Sequence, residues 1–413
     1  MTFSTVLRKA TLLLSVLPFA VSALAAEFPL DVLPAEHHIT HDEETGADLT
    51  FLTTSPARDT NLYFHERSWS SDSSFIILYS ERAGAAVNND PESGKPSSSV
   101  ELLAYVVATG ELVVLRGPSG SLGGATCALN RNSVFGIQNG KVVELKVRIE
   151  ASANPKESRS KAYGELRELW TIPVGAGTTA VNESIDGRHV AIGLTMPQGD
   201  PAIYTVDTET GEGREVCRIA PPRRYMYHVQ WSHTNPNLLS FAGSFPRLNV
   251  VDVRDGTITN PYQELPGELV THEHWWSNDS IVFCGGSKPQ PTEDSHVKVV
   301  DVHTGVVRIL GAGSWWPTGT DEQIAKRNYW HCSGSDDGRW VVADSWHGDI
   351  SLFEGKSCRT RVLTANHRKY GAGDHPHVGW DRKGKQVIFA SHKLGDANVC
   401  VATIPEAWQQ QNQ

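Results

Sequence analysis

The chain has no Cys-x-x-Cys pair, no Gly-x-Ser-x-Gly elbow and no glycine-rich phosphate loop opening a helix. Each absence counts against a class of chemistry. Without paired cysteines, a zinc knuckle or thioredoxin-type centre lacks its ligands. The six cysteines, Cys127, Cys217, Cys284, Cys332, Cys358 and Cys400, are scattered and are expected as buried thiols. Without the elbow, serine-nucleophile catalysis lacks its motif. The cluster Gly120-Ser121-Leu122-Gly123-Gly124 has no strand–helix context and reads as a turn. Positive charge is also short, with 37 Lys and Arg against 47 Asp and Glu. The resulting net charge of −10 argues against a nucleic-acid partner. Finally, no long amphipathic helix is visible after Glu27, whereas short strands and turn signals abound.

Two further features set the frame. Arg8 and Lys9 precede an apolar run, Leu12 to Val21, and then Ala23-Leu24-Ala25. This is the pattern of a signal peptide, expected over residues 1–26, with an apolar core too short to anchor. The mature protein is therefore expected to be exported, periplasmic or secreted, and not held in a membrane. From residue 27 to 413 a unit recurs: polar turn, apolar strand, loop, strand, turn, strand. Its turns include Ser71-Asp72-Ser73, Asn130-Arg131-Asn132, Asp186-Gly187, Asn235-Pro236-Asn237, Asn278-Asp279, Asp337-Gly338 and Asp381-Arg382-Lys383-Gly384. Seven units of roughly 40 to 60 residues predict an all-β, seven-bladed β-propeller in one domain. Leu49 to Thr53 is the expected N-terminal strand that completes the last blade, and Pro405 to Trp408 a short cap.

Histidines fall in phase with these units. His65, His228, His272 and His331 each lie seven residues before a turn residue, at Asp72, Asn235, Asp279 and Gly338, and His375 lies six before Asp381. Equivalent positions in a propeller are related by rotation about its axis, so these side chains are expected to converge on one pocket. His375 and His377 are two apart, which puts them on one side of an extended backbone. Neutral imidazoles at that spacing suit a divalent transition metal, and His331, His375 and His377 form the candidate set. His272, in Thr271-His272-Glu273-His274-Trp275-Trp276, is a candidate general base. Arg247 is a candidate partner for an acidic substrate or a developing enolate. Abundant acids leave a two-carboxylate glycosidase open as well.

Several of these stretches resemble the oligogalacturonate lyases, seven-bladed propellers that cut short pectic oligosaccharides by β-elimination. The resembling stretches are Thr271-His272-Glu273-His274-Trp275, His331 with Ser335-Asp336-Asp337-Gly338, His375-Pro376-His377, Lys385 to Ser391, Ile404 to Trp408, and Asn61 to Asp72. Coverage is nearly full length, and the second and third units match loosely. The resemblance implies a manganese-type ion on His331, His375 and His377, His272 as the base at C5, and Arg247 as the assisting cation. His65, His228, His274 and Trp275 are then expected to touch an acidic oligosaccharide; Trp276, Trp315 and Trp316 are further candidates for stacking on sugar rings. In the family a glutamine ligand stands three residues before the first histidine of His-Pro-His. Here that residue is Ala372, which leaves the ligand to water, another side chain or Asp374. A lyase for another uronate polymer such as ulvan, or a non-catalytic periplasmic scaffold, are the rival readings.

Overall fold

Turn-flanked apolar runs of the sequence become strands that lie edge to edge in seven antiparallel blade sheets, with two further two-stranded ribbons beside them. The computed structural model describes residues 26–82, 100–219, 225–286, 293–315, 327–368 and 374–410. The leader expected over 1–26 lies, but for Ala26, outside these residues, as does Ala372. In each sheet the strands follow one another as a meander, which short turns allow. The innermost strands of blades 1 to 7 are Asp59–Asn61, Gly123–Cys127, Gly177–Glu183, Tyr227–Trp231, Leu269–Trp275, Tyr329–Gly334 and Gly379–Trp380. The seven-bladed propeller expected from the repeats is therefore the fold.

Closure comes from the N-terminal segment, and on more blades than expected. Asp48–Phe51 pairs with Asn398–Thr403 of blade 7, Phe51 opposite Cys400, and His38–His41 adds a fifth strand outside it. Further upstream, Val32–Leu33 pairs along the outer strand of blade 1, and Phe28–Leu30 along that of blade 2. One segment thus covers the outer edges of three consecutive blades, edges that would otherwise expose unpaired N–H and C=O groups.

The core lies between blades. Leu52, Ile388 and Val401 of blade 7 pack on Leu78, Leu103 and Val114 of blade 1, and the other joints repeat the pattern. Trp231, Trp275 and Trp340 are fully buried there. No disulfide forms among the six cysteines. Among the described residues, no helix is long and apolar enough to cross a membrane. The C-terminal cap is the five-residue helix Glu406–Gln410, with Trp408 under the Arg361 guanidinium at 4.9 Å.

Candidate active site and metal centre

The site is built on a defect that the blades share. In blades 2 to 6 the innermost strand carries a β-bulge at one place, so that two residues oppose one on the next strand. The pairs are Gly124-Ala125, Thr179-Ala180, His228-Val229, His272-Glu273 and Trp330-His331. Blade 7 does the same with His377-Val378, between the Pro376–Ala390 backbone bond and the Gly379–Ile388 pair. The first bulge residue turns left-handed at Gly124, His228, His272 and His377, with φ between 49° and 54°. Glycine adopts this freely; for a histidine it costs of order 1–3 kcal/mol, and such strain clusters at functional sites.

This register corrects the phase counted from the turns. Blade 6 has one more ladder pair, Gly334 with Val341, before its turn. Trp330 therefore occupies the position of His228, His272 and His377, and His331 that of Glu273. The histidines nevertheless converge. His272 and His331 have ring centroids 4.0 Å apart, His331 and His377 4.4 Å, and His331 and His375 5.3 Å. Tyr63 lies in their midst, 4.9 Å from His377 and 5.2 Å from both His65 and His228. Phe64 follows it, fully buried, with His65, His228, His272 and His331 all within 6 Å.

One group reaches metal-binding distance. Ligand atoms of His331, Asp344 and His375 lie within 4.8 Å of one another. Asp344 lies opposite the blade 6 bulge and is fully buried. Its carboxylate accepts from His331 Nδ1 (2.8 Å) and from the main-chain N–H groups of His331 (2.8 Å) and His377 (3.2 Å). That grip fixes the His331 ring and leaves its Nε2 buried with no hydrogen-bond partner among the described residues; His375 Nδ1 is in the same condition. Burial and the neighbouring His331 hold His375 down at about 2, and burial likewise keeps His331 and His377 neutral. Neutral rings with orphaned nitrogens beside a carboxylate fit a divalent cation. His377 lies beside the group rather than within it. Asp374 is not a spare ligand, since both its oxygens face Arg58, which also pairs with Glu81 at 2.7 Å. Asn61, in turn, donates to the His377 carbonyl.

The other wall is a chain of charge. His272 Nδ1 donates to the Trp330 carbonyl (2.7 Å), so that its Nε2 carries the lone pair. Burial, reinforced by His331 and Arg247, keeps the ring neutral. Next to it, Glu273 accepts from His228 Nδ1 (2.9 Å) and Arg247 Nε (3.2 Å). Against the cost of burial, Arg247 and His228 hold this carboxyl down at about 2.

Two expected substrate residues are elsewhere. Trp275 is a core residue: it is wholly buried between blades 4 and 5, and its indole N–H donates to the Gln230 carbonyl at 3.1 Å. It has no face left for a sugar, and Trp276 is buried too. His274 turns into a small cavity of about 30 Å³ that it lines with His65, His233, Arg67, Asp336 and Arg382, where it accepts from the Gly334 N–H. Trp316 lies outside the described residues. The aromatic groups beside the metal group are instead Trp330 and Trp346, half-buried, with centroids 6.3 and 4.8 Å from His375. Asp344, Glu273 and these two indoles were not singled out from the sequence. The available signals were an acid inside the apolar run Trp340–Ser345 and a glutamate inside the Thr-His-Glu motif.

No protein-family model and no curated protein matches the chain. Among solved structures, an oligogalacturonate lyase from Vibrio parahaemolyticus superposes with a TM-score of 0.69 at 15% identity, over 92% of this chain and 99% of that one. A second, an oligogalacturonate lyase in complex with manganese, gives 0.66 at 17% identity, over 94% and 100%. The fold of this chain, from the first blade to the closing one, is that of the solved oligogalacturonate lyases.

Proposed function

We propose that this protein is a lyase that cleaves uronate-containing oligosaccharides, of the oligogalacturonate kind, by β-elimination to 4,5-unsaturated uronides. The observation that carries the reading is the neutral, oriented His272 set between a metal-ready group and an arginine–glutamate pair. A C5 proton beside a uronate carboxylate is too weakly acidic for an unaided imidazole. A divalent cation of the manganese type, held by His331, His375 and Asp344 with His377 beside them, would supply a Lewis acid for the substrate carboxylate. Arg247, braced by Glu273, presents a second positive group to the charge that builds there. His272, its Nδ1 tied to Trp330, takes the C5 proton on Nε2. Positioned proton transfer of this sort contributes about 10²–10⁴ in rate. Trp330 and Trp346 offer apolar faces for the flanking sugar.

The test is ultraviolet absorbance of the unsaturated product. Mature protein is mixed with oligogalacturonates and other uronate oligomers, ulvan fragments included, with Mn²⁺ or with chelator. A metal-dependent rise on one substrate supports the lyase and identifies its sugar. No rise on any of them, from a folded protein that retains no metal, rejects the reading in favour of a scaffold.

A further inference from the structure

His228 and His272 are the same position of adjacent blades, and their difference assigns a second proton-transfer role. Both occupy the first bulge residue, with φ of 50° and 49°. Their rings lie 5.9 Å apart and within 28° of parallel. What stands behind each ring differs. Behind His272 is a neutral carbonyl, that of Trp330. Behind His228 is a carboxylate, Glu273, wholly buried and braced on its far oxygen by Arg247.

We propose that His228, held by Glu273, is the general acid that protonates the departing O4 while His272 removes the C5 proton. The assignment rests on the lyase reading above. A carbonyl orients an imidazole and stabilises its cation much less than an ionised carboxylate does, so His272 stays a proton acceptor. An ionised carboxylate in contact stabilises the imidazolium, so His228 can hold a proton on Nε2 for delivery. Among the described residues, the other groups facing His228 are His65 at 5.2 Å, Tyr63 at 5.2 Å, Phe64 at 5.4 Å and His272, with the buried, neutral His331 acting at longer range. Burial keeps His65 and His272 neutral. Glu273 is therefore the charge in direct contact, with Arg247 opposing it from the far oxygen. In the step, the C5–H pair becomes the C4=C5 double bond and the proton goes to His272. The C4–O4 bond breaks with its pair on O4, and O4–H forms with the proton of His228. Net proton return from His272 to His228 through solvent restores both.

The test uses the full metal-loaded protein, His228→Gln and Glu273→Gln, each checked for native circular dichroism. Two substrates are compared: an ordinary oligogalacturonate, and a uronide whose C4 substituent is a nitrophenoxide, which leaves without a proton. On the first, His228→Gln is expected to lose about 10²–10³ in kcat/KM. On the second the loss should be under about tenfold, whereas His272→Ala should lose heavily on both. Glu273→Gln, a positioning change that keeps the side chain's shape, should move the alkaline limb of kcat/KM to lower pH. Equal losses of His228→Gln on both substrates, or an unmoved limb in Glu273→Gln, overturn the acid role alone. A wild-type protein silent on every uronide overturns the lyase reading and this assignment with it.

Discussion

Blades 2 and 3 have the same backbone defect as blades 4 to 7 and put none of the proposed chemistry on it. Their bulges hold Gly124-Ala125 and Thr179-Ala180, with Gly136 and Gly193 opposite. Blades 4, 5 and 7 hold histidines, with Phe241, Phe283 and Phe389 opposite, each fully buried. In blade 6 the opposite residue is Asp344. The small residues are not idle. A Cβ on Gly193 would meet the Thr179 methyl at 2.8 Å and a Val229 methyl at 2.9 Å, so that side of the ring is closed by tight packing. The propeller therefore repeats a socket, and only the arc from blade 4 to blade 7 fills it with imidazole and carboxylate. On the proposed function, fold and chemistry are separable at the level of one register position.

The sharpest way to test that separation is to empty the socket on the chemical arc. His272→Ala should lower turnover on the active uronide by about 10³–10⁴. Its circular dichroism and a cooperative melt should persist, because the blades are held by the packing between them, although alanine keeps the Cβ and with it the left-handed strain at φ 49°. Retained turnover would remove His272 from the base role and leave the bulge a purely structural repeat.

The arcs should also differ in acid. His65, held down at about 3 by burial and the charge of His228, and the buried His272, His331, His375 and His377 are all neutral in the folded state. In the unfolded chain each titrates near its ordinary value of about 6.5. The unfolded state therefore binds more protons below that pH, and stability must fall as pH falls. The slope is about 1.4 kcal/mol per unit for each such ring, until the folded pKa is reached. Chelator-treated protein melted between pH 7 and pH 4.5 should lose stability steeply, and His65→Asn should flatten the slope by about one proton. A flat profile would mean that these rings are protonated in the native state.

Much of this was legible in the sequence, for identifiable reasons. Turn chemistry recurs with each unit, so blade number and the closing strand could be read directly. Five of the 17 histidines fall in phase with the turns, which makes them legible as a set. What failed was register within a strand. Counting from the turn placed His331 with His272, because the extra Gly334–Val341 pair of blade 6 leaves no mark in the sequence. Trp275 reads as a sugar platform in the sequence because composition does not say which side of a bulged strand a residue faces. Asp344 was invisible for a related reason: an acid in an apolar strand is legible as unusual, but its partner His331 lies 13 residues away across a ladder.

Two milder substitutions complete the comparison, one on each arc. Asp344→Asn keeps a hydrogen-bond acceptor for His331 Nδ1 and removes the charge, so Mn²⁺ affinity by calorimetry should fall about 10- to 100-fold. Thr179→Ala in blade 3 changes the residue that shares its register with His272. There the Thr179 hydroxyl donates to the Ala180 carbonyl and accepts from the Gly193 N–H, both at 2.9 Å. Its loss leaves a buried N–H without that partner and should cost about 1–3 kcal/mol of stability. Turnover and metal affinity should be unchanged, since no group of the chemical arc touches it through a hydrogen bond that the structure shows. A Thr179→Ala protein that melts earlier yet turns over normally would set it directly against His272→Ala, with effects exchanged at one position of one repeated strand. If turnover fell instead, the two arcs would be coupled through the bulge, and the socket could not be treated as independent from blade to blade.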